Sequence, residues 1–318
     1  MKGELCRVRT SDGLELQGLF VPPASGPAET TVVHIHGLSG NFYENRFVDH
    51  LAEAASGAGA NFIAANNRGH EYIADFISES SDGAVTSKQI GGAFEVFEDC
   101  LKDIEAWVDF ARGRGARRIV LEGHSHGALK ATHYLTRLGD PAAEPGAAPA
   151  AGSSAGSSVH PAIAGLVLLS PSDDFGLQRY RMGRRFDEIL GIVKRMVDEG
   201  RGAEFIPRDY FHYHISAATY YDTFRPDSAL KIFNISMTDT HRFPALESVR
   251  IPVLVLVGSV DEAFVGRPDE FIVDVKRRLK KTKSFTGHVI KDAPHNYLGH
   301  EAELAGHLEG WLKAHFGG

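Results

Sequence analysis

The pentapeptide Gly123-His124-Ser125-His126-Gly127 follows a short apolar run and precedes a helix-forming stretch. A serine between a strand and a helix sits on a very tight turn, where its backbone is strained. Small residues are therefore needed two positions before it and two positions after it, and both positions hold glycine. The free N–H groups at the start of the following helix favour negative charge that develops beside the serine. The pattern predicts that Ser125 is a nucleophile presented at the end of a strand.

Apolar runs rich in valine, isoleucine and leucine recur along the chain, with helical patterns between most of them. This alternation predicts an α/β fold with a mostly parallel sheet that is covered by helices on both faces. Apolar residues at three- and four-residue spacing predict helices over about residues 94–112 and 301–316. The predicted strands cover residues 14–21, 31–36, 61–66, 118–122, 164–169, 253–257 and 284–290.

Two segments interrupt this alternation. Residues 139–160, rich in Ala, Gly, Ser and Pro, follow a helix and precede a strand, which predicts a flexible loop on the face away from the strand ends. Residues 171–250 leave the end of a strand, where ligands bind in such sheets, so they are predicted to form a cap over that face. The predicted division is a body of residues 1–170 and 251–318 with the cap inserted between them.

A serine hydroxyl is a weak nucleophile near neutral pH and needs a base, which in turn needs an acid to orient it. Asp261 follows the predicted strand 253–257, and His295 follows the last predicted strand. Both should therefore lie in loops at the sheet edge that presents the nucleophile. The predicted triad is Ser125, Asp261 and His295. The nearest rivals by position are Glu262 and Asp292 for the acid and His288 and His300 for the base.

A tetrahedral intermediate on the serine needs two backbone N–H donors. One is expected from His126, directly after the nucleophile, and the other from Leu38 in the glycine-containing loop 36–41. Histidines spaced two apart at positions 34 and 36, and at 124 and 126, resemble half of a zinc site. No metal site is predicted, because the carboxylate signature that completes such a site is missing and the second pair brackets the serine.

The predicted cap is rich in aromatic and histidine side chains, a composition that suits the wall of an apolar pocket with polar handles. Most of these side chains are expected to pack the cap onto the body, and a smaller number to face the substrate. The candidates for the substrate pocket are His36, Glu122, His124, Tyr210, His212 and Tyr220.

Together these motifs, in this order, resemble the α/β-hydrolase superfamily from about residue 14 to the C-terminus. The loop 36–41, the pentapeptide and the turn 258–261 are similar to those of feruloyl or cinnamoyl esterases, and fungal siderophore-ester hydrolases are another similar group. The resemblance implies an α/β-hydrolase fold with a cap after the sixth strand. It also implies a small or aliphatic residue where this chain has Glu122. A carboxylate there needs a partner, and the alternatives are Arg68, Lys130 and the substrate.

Charge and composition narrow the function classes. A net charge of −7 and a pI near 6.1 give no basic face for nucleic acid. Two cysteines outside any metal-ligand spacing fit a reducing compartment. The N-terminal residues lack an apolar leader, and no segment reaches the roughly 18 to 20 apolar residues that a bilayer span needs. The sequence therefore predicts a cytoplasmic protein without a membrane or nucleic-acid partner.

The first hypothesis for function is hydrolysis of a carboxylic ester, thioester or lactone of a small organic molecule through an acyl-enzyme on Ser125. This chemistry needs neither a cofactor nor a metal. A second hypothesis uses the same fold for lyase, cyclase or acyl-transfer chemistry in a biosynthetic pathway. A third is a ligand-binding module with a vestigial triad. The expected partner is the small-molecule ester, and the sequence leaves open whether the chain forms a homodimer.

Overall fold

The computed structural model describes residues 2–26, 28–137, 162–233, 244–263 and 266–317. Each of the seven predicted strands is present there, with its ends shifted by at most two residues. The strands of the described residues are β1 (Glu4–Arg9), β2 (Glu15–Val21), β3 (Thr30–Ile35), β4 (Asn61–Ala65), β5 (Asp75–Glu79), β6 (Val85–Gln89), β7 (Arg118–His124), β8 (Ala162–Leu169), β9 (Val253–Gly258) and β10 (Phe285–Ile290).

Eight of these strands form one sheet in the order β1-β2-β4-β3-β7-β8-β9-β10. β1 and β2 pair antiparallel with their neighbours, whereas the other six strands of this sheet, β4, β3, β7, β8, β9 and β10, run parallel to one another. Parallel strands are covered on both faces, and β3 and β9 are accordingly buried at every residue. The carboxyl ends of the parallel strands meet along one edge, and the loops that leave this edge build the site.

Helices cover both faces of the sheet. One hydrophobic cluster joins a face of the sheet to α2, α3 and α8, and a second joins the other face to α1 and α9. The predicted mostly parallel sheet flanked by helices is therefore confirmed. The helices of the described residues are α1 (Phe47–Gly57), α2 (Cys100–Gly113), α3 (His126–Arg137), α4 (Asp174–Met182), α5 (Arg185–Asp198), α6 (Ala217–Phe224), α7 (Pro244–Ser248), α8 (Pro268–Arg278) and α9 (Glu301–Phe316).

The segment between β8 and β9 contains α4 to α7. Side chains of α5, α6 and the chain between them form a third hydrophobic cluster, and Leu38 from the loop after β3 packs against it. This cluster therefore lies at the carboxyl edge of the sheet. Leu230, Phe233 and Leu246 instead join the cluster that contains α2 and α3. The division into body and cap at residues 171–250 stays a prediction, and these contacts group the later part of that segment with the body.

Three strands were not expected from the sequence. β1 is a short edge strand, while β5 and β6 form a separate two-stranded hairpin. Every residue of β6 is exposed, so no apolar alternation marks it in the sequence. The helix expected from residue 94 begins at Cys100, after a 3-10 turn over Phe97–Asp99. The predicted loop 139–160 lies outside the described residues.

Cys6 and Cys100 are both buried free thiols. Burial raises the pKa of each thiol, which disfavours the reactive thiolate. None of the helices among the described residues has the length and apolar character that a bilayer crossing requires.

Candidate active site

Ser125 occupies the turn between β7 and α3, with a φ of 56° that residues other than glycine rarely adopt. Its amide donates a hydrogen bond of 2.9 Å to the carbonyl of Leu169 on the neighbouring strand. A Cβ at Gly123 would lie 2.3 Å from the carbonyl oxygen of Gly127. A Cβ at Gly127 would lie 2.1 Å from the carbonyl oxygen of Ile35. Both glycines are therefore needed for the tight turn that the pentapeptide predicts.

The loops after β9 and β10 bring a carboxylate and an imidazole together. Nδ1 of His295 lies 2.8 Å from Oδ1 of Asp261, whose side chain is fully buried. The same oxygen accepts a 2.8 Å hydrogen bond from the backbone N–H of Ala263. Burial opposes ionisation, but the hydrogen bond and charge of His295 hold the pKa of Asp261 below its usual value. An ionised Asp261 keeps the proton of His295 on Nδ1, which leaves Nε2 free to act as a base.

These two loops pack closely against each other. A Cβ at Gly258 would lie 2.1 Å from the carbonyl oxygen of Ala293, so the approach requires glycine. The N–H of Val260 donates to the same carbonyl at 3.2 Å. The hydroxyl of Tyr297 donates a 2.7 Å hydrogen bond to the carbonyl of Leu256 on β9. The loop that carries the imidazole is therefore tied to the strand that carries the carboxylate.

The rival residues make other contacts. Glu262 accepts a 3.2 Å hydrogen bond from the backbone N–H of His295, so it contacts the loop and not the imidazole. Asp292 is exposed on that loop. His288 stacks on another histidine, and His300 directly precedes α9. Among these candidate acids, the one that pairs with the imidazole is the buried aspartate of the β9 loop.

A cavity of about 530 Å³ is lined by Ser125, His295, Leu38 and His126. Within the described part of the chain, no residue accepts a hydrogen bond from the backbone N–H of Leu38 or of His126. A Cβ at Gly37 would lie only 3.0 Å from Cβ of Ser125, so glycine lets the loop after β3 approach this serine. Two backbone donors are thus available for negative charge that develops beside Ser125.

The two histidines of the pentapeptide contact different partners. Nε2 of His124 lies 3.0 Å from the carbonyl oxygen of His295. Burial, with a smaller effect of the nearby His295, lowers the pKa of His124 to about 3, so a neutral imidazole donates this hydrogen bond. Nδ1 of His126 lies 2.9 Å from a carboxylate oxygen of Asp174 at the start of α4. His124 therefore supports the loop of the candidate base, while His126 connects the turn to the segment after β8.

His34 on β3 and His36 in the loop after it also form hydrogen bonds with other groups of the protein. Nε2 of His36 accepts a 3.1 Å hydrogen bond from the N–H of Asn67, and its Nδ1 donates to the carbonyl of Gly37 at 2.7 Å. Burial lowers the pKa of His36 well below its usual value, in keeping with this neutral form. No group of three or more His, Cys, Asp or Glu side chains suited to a metal ion occurs in the described ranges.

Glu122 pairs with His34 on the adjacent strand. Their side chains are fully buried, with Oε1 of the glutamate 2.8 Å from Nδ1 of the histidine. The two residues are direct neighbours in the register of β7 and β3. Arg68 and Lys130 were expected as alternative partners and are both wrong, because each pairs with another carboxylate. Glu122, which stands where the superfamily pattern has a small or aliphatic residue, is thus paired with a histidine on the adjacent strand.

The cavity lining corrects several pocket predictions. His124 and His212 line the cavity, whereas His36, Glu122, Tyr210 and Tyr220 do not, so these four were wrong. His36 and Glu122 are buried, and they form hydrogen bonds with Asn67 and His34 instead. Most of the other side chains of the wall were not indicated by any spacing or motif, because they come from loops and a helix that are distant in sequence. They include Ser39, Glu44, Glu71, Tyr72, Glu95, Asp174, Leu177, Gln178, Arg181, Phe211, Tyr213 and Glu262.

Comparison with known proteins gives a family match and a set of similar folds. Residues 32–307 match the model of the alpha/beta hydrolase family. No curated protein sequence matches the chain significantly. The structure is similar to the esterase Pf2001 of Pyrococcus furiosus, with a TM-score of 0.58, 16% identity, and coverage of 99% of this chain and 94% of that chain.

Two further solved structures resemble this one. Est1E from Butyrivibrio proteoclasticus, solved with ferulic acid bound, has a TM-score of 0.61 and 18% identity, covering 97% of this chain and 98% of that chain. The siderophore hydrolase EstB from Aspergillus fumigatus has a TM-score of 0.64 and 15% identity, covering 99% of each chain. At these identities the likeness establishes a common fold, which agrees with the fold expected from the sequence.

Proposed function

The chain belongs to the alpha/beta hydrolase family, and from that premise we propose that it is a serine hydrolase of a carboxylic ester, thioester or lactone. The observation that carries the proposal is the convergence on one cavity of Ser125, of His295 with Asp261 paired to it, and of two free backbone amides. A nucleophile, an oriented base and an oxyanion site are the three parts that acyl transfer needs.

The reaction follows from this arrangement. Nε2 of His295 takes the proton of Ser125 while Oγ attacks the ester carbonyl, and Asp261 stabilises the imidazolium that forms. The N–H groups of Leu38 and His126 donate to the oxyanion of the tetrahedral intermediate. When the intermediate collapses, the C–O bond to the alcohol breaks and the alcohol takes the proton from His295. Water then attacks the acyl-enzyme by the same route and releases the acid.

The surroundings support this chemistry. The hydrogen bond from His124 to the carbonyl of His295 restrains the base without adding a second cation, because the imidazole of His124 is neutral. A cavity of about 530 Å³ is within the range of small-molecule sites. Pf2001 is named an esterase and EstB a siderophore hydrolase, which favours ester hydrolysis for this member of the family. We further propose that α4 to α6 act as the cap over the bound substrate.

A fluorophosphonate probe tests the nucleophile without a known substrate. The probe should add one phosphonyl group to the wild-type protein, detected by intact mass, and Ser125→Ala should not be labelled. Ser248→Ala is the matched control, since Ser248 lies on α7 outside the cavity lining, and it should be labelled at the wild-type rate. Failure of the folded wild-type protein to react would refute the serine-hydrolase proposal and favour a ligand-binding module.

Isotope labelling then separates hydrolysis from the non-hydrolytic alternatives. With any ester that the enzyme consumes, reaction in ¹⁸O-labelled water should place one labelled oxygen in the acid product, because water attacks the acyl-enzyme. Products that carry no labelled oxygen would instead indicate lyase, cyclase or acyl-transfer chemistry.

A further inference from the structure

Ser125 shares its cavity with two aspartate–histidine pairs of the same arrangement. Nδ1 of His295 lies 2.8 Å from Oδ1 of Asp261, and this pair supplies the base of the proposed reaction. Nδ1 of His126 lies 2.9 Å from Oδ2 of Asp174. Both imidazoles line the cavity. The proposed reaction takes only a backbone N–H from His126, so the imidazole of the second pair has no part in it.

Asp174 fixes the proton of this second pair. It is the first residue of α4, where the helix N-terminus stabilises a negative charge. Its Oδ2 also accepts a 3.1 Å hydrogen bond from the hydroxyl of Ser172. Burial opposes ionisation, but the hydrogen bond and charge of His126 hold the pKa of Asp174 below its usual value. An ionised Asp174 accepts from the N–H at Nδ1 of His126, so Nε2 carries the lone pair of the neutral imidazole.

The ring of His126 is held in place with Nε2 left over. Phe97 packs edge-on against it, with ring centroids 5.6 Å apart. The residue is 5% exposed, and it lines the cavity. Nε2 makes no hydrogen bond in the described part of the chain, and burial does not close this atom off from solvent. It can therefore contact a molecule that is bound in the cavity.

The place of His126 in the chain limits which part of a substrate Nε2 can meet. Its Cα atom lies about 3.8 Å from that of Ser125, as in any pair of neighbouring residues. Its backbone N–H is also one of the two donors available for the oxyanion. A group bound to Nε2 therefore lies within a few bonds of the reacting carbonyl. Because a nitrogen lone pair only accepts, that group has to be a hydrogen-bond donor.

We propose that His126 is a specificity-determining residue whose Nε2 accepts a hydrogen bond from a neutral donor of the substrate, close to the scissile carbonyl. The substrate class is an ester, thioester or lactone that carries a hydroxyl or an amide N–H within a few bonds of that carbonyl. Asp174 is a positioning residue, since it acts through the imidazole. This inference rests on the proposed function, because it assigns the substrate of the same site.

Pairs of esters that differ only in the donor test this assignment. One pair compares a hydroxyl with a methoxy group, and the other compares an amide N–H with its N-methyl form. Each pair is moved one carbon at a time along the acyl chain in one series and along the alcohol in another, and acid release gives kcat/KM. At the position that meets Nε2, the donor ester should exceed its methylated partner about five- to tenfold, the value of one hydrogen bond. Equal values at every position in both pairs, or a preference for the methylated esters, would overturn the proposal.

His126→Phe separates the hydrogen bond from steric exclusion of the added methyl group, because it keeps a planar ring and the backbone N–H but has no acceptor. The donor preference should fall several-fold in this variant. His133→Phe is the matched control. His133 lies about two turns further along α3, is 7% exposed, pairs with Glu98 at 2.9 Å and contacts Phe97, but it does not line the cavity. This control should keep the wild-type preference, and an unchanged preference in folded His126→Phe would contradict the assignment.

Asp174→Asn gives a second measurement, with thermal unfolding to show that the variant is folded. Its uncharged side chain no longer fixes the proton on Nδ1 of His126, so a share of the imidazoles carries the proton on Nε2 and cannot accept. The donor preference should therefore fall here too, and a wild-type preference would count against the assignment. Labelling by the fluorophosphonate probe keeps the two proposals apart. If the wild-type protein is labelled and no donor preference exists, this assignment alone fails; if it is not labelled, the proposed function fails.

Discussion

Gly258 offers a direct test of how the candidate base is positioned. This glycine ends β9, and a Cβ placed on it would lie 2.1 Å from the carbonyl oxygen of Ala293, 2.8 Å from its carbonyl carbon and 3.0 Å from the carbonyl oxygen of Pro294. All three contacts are to backbone, so no side-chain rotation can relieve them. Gly258→Ala must therefore push the loop that carries His295 away from the loop that carries Asp261.

The size of the effect follows from these distances. Widening the shortest contact from 2.1 Å to the 3.0 Å that real Cβ atoms respect needs a movement of about 0.9 Å. A misplacement of about 1 Å in a catalytic group can cost on the order of 100-fold in rate. That loss equals about 2.7 kcal/mol of transition-state stabilisation. Overpacking should also lower the free energy of unfolding by about 1–3 kcal/mol.

The assay measures the rate of fluorophosphonate labelling and kcat/KM for an activated ester, with the free energy of unfolding from urea titration. Gly306→Ala is the matched control, because Gly306 lies within α9 with no atom near its missing Cβ. Alanine there should stabilise the helix by about 0.5–1 kcal/mol and leave the labelling rate unchanged. Wild-type labelling by a folded Gly258→Ala protein would refute the argument that this contact positions the base.

Two further predictions concern buried carboxylates. The pKa of Asp261 is lowered in the folded protein, so its contribution to stability is present above its unfolded value of about 3.9 and is lost as pH falls through the folded value. The free energy of unfolding should therefore fall less steeply below about pH 4 in Asp261→Asn than in wild type, and parallel curves would contradict this. Glu122→Ala leaves His34 buried without its partner and should cost about 3–5 kcal/mol in urea titration, whereas Glu199→Ala on the exposed surface should stay within about 0.5 kcal/mol.

The strands and the three candidate catalytic side chains could be predicted from the sequence, since each side chain lies within five residues of the end of a strand. Parallel strands end at one edge, so local patterns alone bring Ser125, Asp261 and His295 to the same side. The helix Glu301–Phe316 was likewise predictable, because its apolar residues recur at helical spacing. In these cases the local sequence carries the whole signal.

Other features depend on contacts between segments that are far apart in the chain. The partner of Glu122 is fixed by the register of β7 against β3, which places His34 beside it. This register cannot be read from a local sequence pattern. The prediction that Arg68 or Lys130 is the partner of Glu122 was therefore wrong. The exposed hairpin strand β6 was missed for a different reason: all its residues are exposed, and neither face shows an apolar alternation.

The difference between local patterns and contacts of distant segments also applies to the candidate catalytic residues and to the wall that would select the substrate. The position of Ser125 depends on backbone contacts, such as the hydrogen bond from its N–H to the carbonyl of Leu169, and that of His295 depends on the close approach at Gly258. The opposite wall of the cavity is built largely from side chains of the segment between β8 and β9, such as Tyr213. Substitutions in that wall can therefore change which substrate fits while the backbone that holds Ser125 and His295 stays in place. This is why a motif can indicate the reaction, while the substrate has to be inferred from the assembled cavity.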